Sequence, residues 1–314
     1  MNTALALPRR DCVNSLGIPV DALTFEDAVE RIVTLARIRD GRARQVATLN
    51  VDFLVNAIGT MRGTPRHPEL LSVLRQADMV TADGFPVVWL SRIVGRPLPC
   101  RVCGSDLVPA LAERCAADGL SLFLLGGAAG SAAAAGTLLA NRHPGLRVAG
   151  TAAPPVHTAG PGLSDHDRDD AELVQAINDS GADILLIGLG NPKQELWFHR
   201  NRHALKIPVS IGVGGTFEFI TGATRRAPAW VQRSNLEWVY RILQDPARLW
   251  RRYAHGMYQL AVMAAPLLGS RLQESLRRGN AATTQPEWHS LWSSREQSMM
   301  VLQLPKRISG TYLD

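Results

Sequence analysis

Lysine is almost missing from this sequence, occurring only at 193, 206 and 306, although lysine and arginine together number 34. The positive charge is therefore carried by arginine, as a GC-rich coding sequence alone would also give, so no single arginine is read as a phosphate contact. Cysteine is scarce, at four residues, too few for a disulfide framework. Cys100 and Cys103 form a C-x-x-C pair in "PCRVCG" without the two further ligands a zinc site needs. Reduced thiols in a cytosolic protein are the expectation. Long apolar runs are absent too, and nothing approaches the ~18 residues of a membrane span. The longest candidate, "LAVMAAPLLG" (260–269), contains a proline and suits either an interfacial helix or a buried one. The opening "MNTALALPRRD" has too short an apolar stretch for a signal peptide. Acids are sparse in one place: from Gly222 to Arg278 there are three, against ten arginines. The formal charge of +6 is thus local, and a local basic field points to phosphates or an anionic membrane surface. No nucleic-acid motif accompanies it, so nucleic acid is the weaker option.

What is present is an alternation. Apolar segments "QVATLN" (45–50), "ADMVTADG" (77–84), "LSLFLLGG" (120–127), "LRVAGT" (146–151), "ADILLIGLG" (182–190) and "PVSIGVGG" (208–215) read as strands. Helical patterns lie between them, "FEDAVERIVTLARI" before the first, and a helix opened by a Ser105/Asp106 cap at "GSDLVPALAERCAADG". Strands with few polar residues alternating with helices predict an α/β fold, an open, mostly parallel sheet with helices on both faces (Rossmann-like). After residue 221 the strand signals stop. The expected organisation is a catalytic core over 1–221, an arginine-rich helical appendage over 222–278, and a poorly ordered tail over 279–314.

In such sheets ligands bind beyond the carboxyl ends of the strands. Five strand ends carry glycine or acid signals: "TLN", "TADG", "LLGGAAG", "GLGNPKQE" and "GVGGTFE". Asp83, beside a glycine, is placed to accept a proton from a substrate hydroxyl, or else to cap a turn. Asp78 is less well placed, behind an apolar pair. Thr48, Asn50, Arg101, Lys193 and Gln194 supply donors suited to a phosphorylated sugar carrier, and each alone is also ordinary turn chemistry. The "GGAAG" turn with Gly126 and Gly127 is as readily a tight βα turn as a diphosphate contact. Asp167 and Asp169 form a D-x-D at a helix start, where capping and the helix dipole account for them, and no metal is expected there. Arg241, Arg248 and Arg252 share one helix face if the helix survives Pro246, able to meet lipid headgroups or to fold over the crevice onto a diphosphate.

The set "TLN", "ADMVTADG", "RVCGSDL", "LFLLGG", "DILLIGLGNPKQELW", "IGVGGTFEFITGATRRAPAW" and "LEWVYRILQDPARLWRRY" resembles the WecG/TagA/CpsF glycosyltransferases, from about Leu16 to Tyr253. The resemblance implies transfer of a sugar, with inversion, from a UDP-sugar to a polyprenyl-diphosphate-linked saccharide in cell-surface polysaccharide synthesis. It implies no cofactor and no metal, a cytoplasmic protein held peripherally at the inner membrane face against anionic lipid, and it leaves a homo-oligomer open. It casts Asp83 as general base. Thr48, Asn50, Arg101, Lys193 and Gln194 would hold donor and acceptor, with Gly126, Gly127, Gly214 and Gly215 admitting the nucleotide. Glu218 stands where the family usually has Asp, facing the base, and Arg241 and Arg248 would neutralise departing UDP. Two rival readings are a nucleotide-dependent oxidoreductase, which lacks an acid for the ribose in "LRVAGTAAPP", and a non-catalytic module binding anionic lipid.

Overall fold

The structure is a computed structural model that describes residues 10–59, 67–156, 166–234 and 236–283, with the backbone alone at 166–169, 229, 248, 270, 272 and 274–283. The chain divides into two compact units, Met1–Leu268 and Gly269–Asp314. The described part of the second is the end of the last helix.

Six strands form one parallel sheet: β3 (Arg44–Leu49), β4 (Met79–Ala82), β5 (Ser121–Gly126), β6 (Arg147–Ala152), β7 (Ile184–Gly188) and β8 (Val209–Gly212), in the order β4-β3-β8-β7-β5-β6. Every residue of β3, β4, β5, β7 and β8 is buried, whereas the edge strand β6 is partly exposed. That is the consequence of covering both faces of a parallel sheet, which leaves few polar positions along the covered strands. Alternate residues serve opposite cores. Leu122, Leu124, Ile184, Leu186 and Ile211 pack with α1 (Phe25–Ala36), α5 (Gly104–Asp118) and α6 (Ser131–Arg142). On the other face, Phe123, Leu125, Leu185 and Ile187 meet Trp197 and Phe198 of α8 (Lys193–Asn201), while Ala47, Leu49, Val80 and Ala82 meet α2 (Val51–Ile58), α3 (Pro68–Gln76) and α4 (Phe85–Val94). Helix α7 (His166–Asp179) joins β6 to β7; the side chains of Asp167 and Asp169 lie outside the described residues.

Four features depart from the sequence expectation. An antiparallel hairpin, β1 (Cys12–Ser15) and β2 (Ile18–Asp21), precedes α1; its strands are too short for alternation to announce them, yet Ile18 and Val20 are fully buried. Helix α3 begins on Pro68, and the basic composition of the preceding sequence hid it. Helix α5 starts at Gly104 with Cys103 in the cap position, so Ser105 and Asp106 lie in the first turn and do not cap it. A Cβ on Gly104 would stand 3.0 Å from the Val213 Cα, so this start needs glycine for close approach to the end of β8. Finally, Arg241 and Arg252 do not share a helix: α11 (Glu237–Gln244) ends before Asp245, and α12 (Pro246–Thr283) starts anew on the proline.

Short helices α9 (Thr216–Ile220) and α10 (Ala229–Arg233) lead from β8 to α11. Within the first unit α12 is a core element. Leu260, Met263 and Ala264 are buried in the same cluster as α2 and α3, so this face of the helix is packed, while Ala261, Ala265, Pro266 and Leu268 are exposed. Arg252 on α12 donates from Nε to Asp52 on α2 at 2.8 Å.

Candidate active site

A cavity of about 990 Å³ lies beyond the carboxyl ends of β4, β3, β8 and β7, four neighbours in the sheet, and α11 and the first turns of α12 contribute to its wall. Its wall includes Thr48, Asn50, Asp83, Arg101, Gln194, Gly214, Gly215, Glu218 and Arg241. Gly126, Gly127 and Lys193 stand off it, and the side chain of Arg248 lies outside the described residues. Four of the five marked strand ends therefore share one crevice, and the fifth, after β5, is set beside it.

Asp83 follows directly on β4, its backbone N–H bonded to the Leu49 carbonyl at 2.7 Å. Asn50 caps α2: its Oδ1 accepts from the N–H groups of Asp52 (3.0 Å) and Phe53 (3.4 Å). That leaves the Asn50 amide to donate to Asp83. Withdrawal from water pushes the Asp83 carboxyl up to about 6, against the opposing pull of Arg101, the Asn50 hydrogen bond and Arg241, and with a further push from Glu237. Desolvation outweighing two cations leaves a carboxylate more basic than usual yet still ionised at neutral pH.

The cations differ in their freedom. Arg101 is held in a ring of ion pairs: Nη1 to Glu237 Oε2 at 2.9 Å and Nη2 to Asp106 Oδ2 at 3.1 Å. Arg226 closes the ring by pairing with Asp106 and lying 3.8 Å from Glu237. Two arginines and two acids thus tie the start of α5 and the loop before α10 to the first residue of α11. Arg241, one turn further along α11, has its guanidinium 5.3 Å from the centroid of the Phe219 ring, and no carboxylate pairs with it among the described residues. It is the cation left over to face a ligand.

In the "NPKQE" segment Gln194 lines the cavity, as expected of it, whereas Lys193 does not. Gln194 and Glu195 are buried, and Lys193, first in α8, is exposed. Gln194 donates to Glu195 at 2.7 Å and accepts from the Gly214 N–H at 3.0 Å. This pair fills the space a side chain on residue 212 would take: a Cβ on Gly212 would stand 2.3 Å from Gln194 Nε2. Thr48 Oγ1 donates to the Gly212 carbonyl at 2.8 Å, so the ends of β3 and β8 and the loop at Gly214 are locked by one set of bonds. Burial pushes the Glu195 carboxyl up to about 8, which keeps it mostly protonated near neutrality. Glu218 accepts from the Ala128 N–H at 2.8 Å, bridging the turn after β5 to the cavity wall. Asp78 lies at the opposite end of the sheet, paired with Arg42 at 2.6 Å and accepting from the Gln45 N–H at 3.0 Å. Cys100 and Cys103 are free thiols.

Sequence reasoning assigned no site role to Asp106, read as a helix cap, or to Arg226, Glu237 and Phe219. The first three sit in quoted stretches, "RVCGSD", "RRAP" and "LEW", where an acid or arginine beside an unexplained partner of opposite sign was the available signal.

An acid and a cation thus face one crevice at the carboxyl edge of a doubly covered parallel sheet, the place where ligands bind in enzymes of this fold class. The chain belongs to the glycosyl transferase WecG/TagA/CpsF family, which it matches over residues 13–275. It resembles the N-acetylglucosaminyldiphosphoundecaprenol N-acetyl-beta-D-mannosaminyltransferase of Bacillus spizizenii, with 34% identity over 188 residues, 60% of this chain and 68% of that one. The enzyme of the same name from Staphylococcus aureus strain MW2 is 30% identical over 239 residues, 76% of this chain and 87% of its own. That of Bacillus subtilis strain 168 is 29% identical over 219 residues, 69% and 78% of the two chains.

Proposed function

We propose that this glycosyltransferase moves N-acetylmannosamine from its UDP derivative to an N-acetylglucosaminyl-diphosphate-polyprenol at a membrane surface, with inversion, in cell-surface polysaccharide synthesis. Asp83 is the general base and Arg241 the countercharge for the leaving group. The reading of the two substrates rests on the relatives' names. The observation that carries the mechanism is the convergence of Asp83 and Arg241 on one cavity, each within the other's electrostatic reach.

In the reaction the acceptor hydroxyl oxygen forms a bond to C1 of the donor sugar while the bond from C1 to the diphosphate oxygen breaks. The proton passes from the hydroxyl to the Asp83 carboxylate, and the electron pair of the broken bond leaves on UDP. A carboxyl with its pKa near 6 is about nine-tenths ionised at pH 7 and a stronger base than an ordinary aspartate. Negative charge grows on the diphosphate as the bond breaks, and a cation already positioned in a water-poor site stabilises it by several kcal/mol. Arg101, already neutralised by Asp106 and Glu237, shapes the site and tunes Asp83.

Association with a membrane is supported by the surface of α10, α11 and the start of α12. Trp230, Trp238, Trp250 and Tyr258 are exposed there, and the Arg251 guanidinium lies 5.8 Å from the Trp250 ring centroid. Among the described residues no helix is long and apolar enough to cross a membrane. Tryptophan with arginine at a surface suits the headgroup layer of an anionic leaflet. The test of the substrate assignment is incubation of purified protein and lipid-linked acceptor with a panel of UDP-sugars, followed by mass measurement of the lipid products. A mass gain of one N-acetylhexosamine, from the manno donor alone, is the expected result; gain of a hexose from UDP-glucose would overturn the donor assignment.

A further inference from the structure

Helix α4 is apolar on both sides. Its inner face buries Val87, Val88 and Leu90, as a core helix should. Its outer face carries Phe85, Trp89 and Arg92, all exposed and spaced i, i+4, i+7, so they lie in one row. The row is continuous with the cavity, because Phe85 and Pro86 also belong to the cavity wall. The row starts two residues after Asp83, and from Phe85 to Arg92 it runs about 10 Å along the helix. No carboxylate pairs with Arg92 among the described residues.

We infer that this row is the track for the isoprenoid stem of the acceptor, an inference that rests on the lipid-linked acceptor proposed above. An acceptor whose hydroxyl meets Asp83 must carry its lipid end away from that carboxylate. The polypeptide that leaves Asp83 supplies at once an aromatic side chain at the cavity mouth, a second one turn on, and a cation beyond it. Phe85 and Trp89 give the first isoprene units an apolar surface, and Arg92 meets the phosphate layer of the leaflet from which the lipid emerges. Met257 of α12, exposed and also in the cavity wall, adds to the apolar rim. An isolated exposed tryptophan would call for no explanation, but a row that begins inside the site does.

The test compares two acceptors with the same saccharide diphosphate, one on an undecaprenyl chain in vesicles and one on a short water-soluble alkyl chain. Trp89→Ser is expected to raise KM for the undecaprenyl acceptor about tenfold while leaving kcat and the short-chain KM unchanged, and Trp89→Phe is expected to restore the low KM. Arg92→Gln should raise only the vesicle KM. An equal loss on both acceptors, or no change on the long one, would overturn the track. So would a shift in sedimentation of Trp89→Ser toward smaller species, which would mean that a second copy covers the row. Wild-type protein that turns over neither acceptor would overturn the lipid-acceptor reading itself, whereas wild-type turnover of both with an unaltered Trp89→Ser would overturn the track alone.

Discussion

Arg101 donates to Glu237 at 2.9 Å across 136 positions of sequence, joining the loop between α4 and α5 to the first residue of α11. The pair does two things at once. It fastens the basic C-terminal helices beside the crevice, and it leaves Arg241, one turn later, as a cation there that no carboxylate pairs with among the described residues. Both members also act on Asp83, in opposite directions.

The opposition gives a prediction with a sign. Glu237 raises the Asp83 pKa and Arg241 lowers it. Glu237→Gln should therefore move the acidic limb of the kcat/KM profile to lower pH, and Arg241→Gln should move it higher while also cutting kcat. In the wild type that limb lies near pH 6, with activity present above it and lost below as Asp83 takes a proton. Rates across pH 4.5–8.5 for the three proteins check this. Glu237→Gln should also lower stability by about 1–3 kcal/mol, since Arg101 and Arg226 lose a shared acceptor.

Glu195 predicts a stability effect separate from catalysis. Its carboxyl is pushed from an ordinary 4.5 to about 8 by burial, so the folded state holds a proton that the unfolded chain releases. The stabilisation is complete below pH 4.5 and is lost as pH rises through about 8. Melting temperature in Glu195→Gln should fall less steeply over that window than in the wild type, as differential scanning fluorimetry would show.

Gly212→Ala should cost about 1–3 kcal/mol by overpacking, because its Cβ would meet the Gln194 amide and the Glu195 carboxyl. Denaturant titration measures it. Gln194→Ala added to Gly212→Ala should recover part of the loss.

Trp250→Ser combined with Arg251→Gln should reduce co-sedimentation with anionic vesicles several-fold and make its loss with salt shallower, leaving the fold intact, because both residues are exposed. Removal of everything after Gly222 is a poorer test of membrane binding, since Leu260, Met263 and Ala264 belong to the core.

Much of the fold was legible because a parallel strand covered on both faces is mostly apolar, and "SLFLLG" or "ILLIG" has few other readings. The crevice was legible because glycines and lone polar residues at the ends of such strands have no core to enter. The direction of side chains in "NPKQE" was not. Lys193 and Gln194 are adjacent, and only the missing side chain at Gly212, 18 positions on, decides that the glutamine turns inward. The ring of Arg101, Asp106, Arg226 and Glu237 was equally hidden, because its pairings span up to 136 residues and spacing along the chain carries no record of them. Helix continuity failed at Asp245, where a proline can begin a helix as well as interrupt one.

The account stands most directly on Asp83. Asp83→Asn keeps the shape of the side chain and removes its basicity, so the measurement is transfer rate and UDP affinity in the same purified variant. The account predicts UDP binding close to the wild type with transfer reduced about 10²–10⁴-fold at pH 7.5. Wild-type transfer by Asp83→Asn would contradict it.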